Sequence, residues 1–73
     1  MKPLRIIGQS GTRYLVNPAK VQWACSAELN DGTEGVDVSV AGAHREVSAR
    51  HTLDEFEAMW ADALRDDARE VMP

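Results

Sequence analysis

The residue types able to do chemistry are few in this chain. Gly8-Gln9-Ser10-Gly11-Thr12 has the glycine spacing of a loop that wraps a phosphate. It lacks the lysine of a Walker motif, and the following Arg13-Tyr14-Leu15-Val16 reads as a strand and not a helix, so it reads as a hairpin turn. Cys25, His44 and His51 are the only soft metal ligands. A structural zinc site takes four, usually in close pairs, so no metal centre is expected. Ser26, Ser39 and Ser48 have no nucleophile-elbow context around them. The carboxylates of the last third fall on what reads as the wet face of a helix, where burial cannot tune their acidity. No catalytic residue, no cofactor and no enzyme activity are expected.

The element that organises the rest is Thr52 to Met72. Thr52-Leu53-Asp54-Glu55 has the form of a capping box, with the Thr52 hydroxyl and the Glu55 carboxylate each satisfying the other's backbone N–H. Asp54 and Glu55 suit the positive end of the helix dipole, and Arg65 and Arg69 the negative end. At 100° per residue, Leu53, Phe56, Trp60, Leu64 and Val71 share a face, flanked by Ala61, Ala63 and Ala68. Met59 falls on its flank. The helix is expected over about 53–71.

Upstream, the apolar period is two. Leu4–Ile7 and Arg13–Val16 read as a hairpin, ended by Asn17-Pro18 because Pro18 cannot donate to a ladder. Val21–Leu29 alternates, with Val21, Trp23, Cys25, Ala27 and Leu29 on the expected inner side and Ala24 on the outer. Asn30–Gly35 is a turn. Val36, Val38 and Val40 point inward with Asp37 and Ser39 outward. Arg45–Ser48 reads as a short last strand leading to the helix, the one on which the count of four or five turns. The expected fold is α+β: one four- to five-stranded antiparallel sheet within 4–48, covered on one face by a single C-terminal helix, as a single domain over 1–73. Trp23 and Trp60 are expected to pack together between sheet and helix. His51, just before the cap, is given a structural role there.

The 73 residues carry a net charge of −4. Residues 1–50 hold six Lys/Arg against five Asp/Glu, and residues 51–73 two against seven. An acidic helix argues against nucleic acid as the direct partner. The lone Cys25 excludes an internal disulfide and suits a reducing compartment. With no long apolar run, a monomeric, cytoplasmic protein is expected, away from membranes.

What remains is the sheet face away from the helix. With Leu4, Ile6, Tyr14 and Val16 inward, Arg5, Ile7, Arg13 and Leu15 point outward together with Ala24, and Lys2 lies just before them. A mixed basic and apolar patch of this kind is a docking surface for a protein partner, with Lys2, Arg5, Ile7, Arg13 and Leu15 as candidate contacts. The first strand, placed at a sheet edge, offers a second mode, the addition of a partner strand.

Arg13-Tyr14-Leu15-Val16-Asn17-Pro18, with Val21 following and Val47-Ser48 before the helix, resembles the second half of LytTR-type DNA-binding domains. The resemblance implies a small nucleic-acid-binding transcription factor. The basic residues expected after the Val-Ser are mostly acids here, so no DNA-contact residue carries over. In length, acidity and layout the chain also resembles the small transcription regulators of lytic phages. That similarity implies a partner in bacterial RNA polymerase, inhibition of sigma-dependent initiation or antitermination, and the host bacterial cytoplasm as its location. An accessory or structural subunit is a third reading.

Overall fold

The computed structural model describes residues 2–71, with side chains through Arg65. In chain order it has β1 (Leu4–Ile7), β2 (Arg13–Val16), a 3-10 turn (Pro18–Lys20), β3 (Val21–Glu28), β4 (Glu34–Val40), β5 (Val47–Ala49) and α1 (Leu53–Val71). The α+β class is as expected.

The strands form two antiparallel sheets, β1-β2 and β3-β4-β5, where one continuous sheet was expected. The reason is short overlap. β1 runs out at Gly8 and β5 has three residues, so they share one bridge, Gly8 with Ala49. Gln9 N–H to the Ser48 carbonyl and Arg50 N–H to the Ile7 carbonyl, each 2.9 Å, reinforce that joint. β1 therefore lies between β2 and β5, and the open edges are those of β2 and β3, not that of the first strand as expected.

Local chemistry sets the turns. In the first hairpin, Gly8 N–H donates to the Thr12 carbonyl at 2.7 Å and Gly11 takes a positive φ of 93°. Asn17 Oδ1 accepts from Ala19 N–H at 3.0 Å and starts the 3-10 turn. Between β3 and β4, Asp31 Oδ1 accepts from the Thr33 hydroxyl at 2.6 Å and the Thr33 N–H at 3.1 Å. Those bonds, the hydroxyl's first, hold the Asp31 carboxyl below its usual range.

One feature reverses an expected face. β3 and β4 slip register between Val21, opposite Val40, and Trp23, opposite Ser39. The extra residue is a β-bulge, and each later residue changes side. Ala24, expected outside, now faces the core, whereas Trp23 and Cys25, expected inside, are exposed. The tryptophan pair does not form. Trp60 Nε1–H instead donates to the Pro18 carbonyl at 2.9 Å, and its ring lies 5.9 Å from that of Phe56.

The core joins both sheets to the helix. Leu4, Ile6 and Val16 come from one sheet, Val21, Val36, Val38 and Ala49 from the other, and Phe56 and Ala63 from α1. Val36, Val38 and Phe56 are fully buried. The inward valines of β4 are as expected. On the helix the buried stripe runs from Phe56 past Met59 and Trp60 to Ala63, a seven-residue return to the same face. Leu64, one position further round, is exposed, contrary to the expected face. Val71 lies outside the residues whose side chains are described. The capping box forms in both directions: Thr52 N–H to Glu55 Oε1 at 2.8 Å, and Glu55 N–H to the Thr52 hydroxyl at 3.1 Å. Among the described residues no helix is long and apolar enough to cross a membrane.

Candidate protein-docking surface

The β1–β2 hairpin shows two faces. In its register Leu4 stands opposite Val16, Arg5 opposite Leu15, Ile6 opposite Tyr14 and Ile7 opposite Arg13. Side chains alternate along each strand, so Arg5, Leu15, Ile7 and Arg13 share the face away from α1. Each cross-strand pair joins one arginine to one apolar side chain, and the arginines occupy opposite corners. Ile7 is 44% and Leu15 69% exposed, whereas Leu4 and Ile6 are buried beneath them. Four of the five expected contact residues thus come together on one open face. A shallow hollow of about 520 Å³, bordered also by Tyr14 and His51, runs along it.

Lys2 is placed elsewhere. Its Nζ sits 3.0 Å from Asp62 Oδ2, an ion pair between the chain before β1 and the helix, with both side chains about half exposed. Such a pair contributes little to stability, but it turns Lys2 towards α1. Ala24 is lost to the patch by the bulge. Tyr14, expected inside, is 38% exposed, its ring lying close against Gly8.

Arg5 and Arg13 make no ion pair among the described residues. Guanidinium groups in this condition are ready for carboxylates, which they bind through two parallel hydrogen bonds. Ile7 and Leu15 between them offer apolar area that loses water on contact. The arrangement can therefore recognise a surface that sets acids beside apolar side chains.

The hairpin is held along the edge of β1 by a contact that the sequence did not reveal. His51 Nε2 accepts from the Ile7 N–H at 3.2 Å, which requires that nitrogen to be unprotonated. Arg50 Nε donates to the Gln9 carbonyl at 2.8 Å, and the Gln9 amide oxygen accepts from Asn30 N–H at 3.0 Å. Through these bonds the entry to α1 and the β3–β4 turn both brace the end of the hairpin. His51 does act structurally, on β1 more than on the helix cap.

The other candidate groups do not converge. Cys25 lies on the outer face of β3, and His44 is exposed between β4 and β5. Ser48 donates to Asp37 Oδ1 at 2.7 Å across β5 and β4, without a histidine. Among the described residues no group of three or more His, Cys, Asp or Glu is placed to hold a metal ion. Compared with models of protein families, with curated proteins and with solved structures, the chain matches none.

Proposed function

We propose that this chain is a non-enzymatic protein-binding regulator that docks through the outer face of its β1–β2 hairpin. The observation that supports it is the pair Ile7 and Leu15, left exposed between two arginines that make no ion pair among the described residues, on a hairpin braced along the edge of β1. The similarity to small phage regulators makes bacterial RNA polymerase the partner of this proposal. The mechanism is occupancy: the domain holds a site on the polymerase that a sigma factor or a terminator-responsive element needs, inhibiting initiation or favouring readthrough. Lys2, engaged with Asp62, borders the contact and does not centre it.

Ile7→Asp tests this directly. A charge placed in the apolar middle of the contact is expected to weaken capture of purified polymerase core by at least about tenfold, as loss of a central contact does. The circular dichroism spectrum stays that of the parent, because Ile7 is not part of the core. Undiminished capture of core enzyme by the variant overturns the docking surface. Binding to DNA without any protein, falling steeply with salt, replaces this reading with the nucleic-acid-binding one.

A further inference from the structure

The open edge of β3 borders a hollow lined partly by α1, and that hollow shares no lining residue with the one on the hairpin. Strand hydrogen-bonding directions alternate residue by residue. The Ser48 carbonyl and the Arg50 N–H address β1, so Val47 and Ala49 address β4. Their partners Val38 and Val36 are thereby committed to β5, leaving Gly35, Asp37 and Ser39 to bond β3 through Ala27, Cys25 and Trp23. The Leu29 N–H, 2.8 Å from the Thr33 carbonyl, gives the same alternation from the turn. Ala24, Ser26 and Glu28 therefore present their N–H and C=O groups to the open edge.

That edge is guarded only at its two ends. Natural sheets blunt such edges with bulges, lysine, proline or inward-pointing charge; β3 has its bulge after Val21 and the charge of Glu28 at the other end, and residues 23–27 between them contain no charge and no proline. Beside the edge is a hollow of about 230 Å³ lined by Ala24, Leu53, Phe56 and Trp60, with Asp54 and Glu57 at its rim. The Trp60 ring is held in place by its bond to the Pro18 carbonyl. Asp54 and Glu57 are exposed and make no ion pair among the described residues.

We infer that this groove takes an extended segment of a partner protein, adding a strand to β3, with an apolar side chain in the hollow and Lys or Arg two residues away facing Asp54 and Glu57. Strand addition supplies the main-chain bonds, and alternate side chains supply the selection. A second copy of this chain fits poorly. Its β3 carries no cation to meet these carboxylates, and it brings its own Asp54 and Glu57 against them.

The probe is acetyl-Thr-Lys-Thr-Leu-Thr-Lys-Thr-amide, with a control in which glutamate replaces lysine, titrated into the full chain and followed by amide NMR. The lysine peptide is expected to shift the amides of Ala24, Ser26 and Glu28 and the Trp60 indole, and the glutamate peptide to leave them unmoved. Glu57→Lys, on the exposed helix surface, is expected to weaken binding about fivefold. Ser26→Pro, which removes a donor only from the open side, is expected to abolish it with the spectrum of the fold retained. Ile7→Asp is expected to bind the peptide like the parent, which separates this site from the hairpin face. Equal binding of both peptides, no perturbation at millimolar lysine peptide, perturbation confined to Ile7 and Leu15, or the same shifts on raising protein concentration alone would each overturn the inference.

Discussion

At Gly35 a β-carbon would stand 2.5 Å from Leu29 Cδ2 and 2.7 Å from the Ala49 carbonyl oxygen. The strand needs that gap so that β5 and the buried Leu29 can both close on it. Gly35→Ala is accordingly expected to lower stability by about 1–3 kcal/mol, since one of those neighbours belongs to the backbone and cannot swing aside. Urea unfolding measures it as a lower midpoint at unchanged slope. Nothing in Thr33-Glu34-Gly35-Val36 tells this glycine from the turn glycines Gly11 and Gly32, whose positive φ explains them. The two tryptophans are a similar case. Their spacing from other apolar residues suited a core pair, but the bulge after Val21 moved Trp23 to the outside, 47% exposed, and left Trp60 to the Pro18 carbonyl.

Secondary elements were read with more success, because their signals are local. The capping box needs only Thr52, Glu55 and the helix they start, and it forms as spelled. The bond from the Thr52 N–H is the main cause holding the Glu55 carboxyl below its ordinary value, with the Thr52 hydroxyl adding to it. A carboxyl lowered in the folded state stabilises above its unfolded value and loses that contribution as pH falls through the folded one. The cap is therefore expected to weaken below about pH 4.5, the ordinary glutamate value. In thermal melts between pH 6 and 2.5, Glu55→Gln should show a shallower decline than the parent. Thr52→Ala should cost about 1 kcal/mol at neutral pH by removing the hydroxyl acceptor. The hairpin register was legible for the same reason of locality: four alternating residues on each side of a glycine turn leave one pairing that buries Leu4, Ile6 and Val16 together.

For the molecule as a whole, two small sheets joined by one bridge depend on the helix that spans them. Side chains of both meet at Phe56, which is fully buried. Domains of this length have roughly 4–11 kcal/mol of stability in total. Removing a buried phenylalanine costs about 3–5 kcal/mol. Phe56→Ala is thus expected to leave the chain largely unfolded near 37 °C, seen as loss of the far-ultraviolet helix signal and of slow amide exchange in both sheets at once. Exchange lost from one sheet alone would mean that the two fold separately. The same dependence frees the reverse side of the hairpin, since one helix covers one face, and among the described residues no strand or helix lies on the face holding Arg5, Ile7, Arg13 and Leu15.

Taken alone, the amino-acid order determined the α+β class, the helix and its cap, the first hairpin, the inward valines of β4 and the outward set Arg5, Ile7, Arg13 and Leu15. Each follows from periodicity or from groups within a few residues of one another. The tertiary structure alone decided which strands share a sheet, which edges stay open, where Lys2 goes and which way Trp23 points. Those outcomes depend on overlap between distant short strands and on one inserted residue in β3. A bulge changes the side of every residue after it without altering the composition around it, so no local pattern announces it.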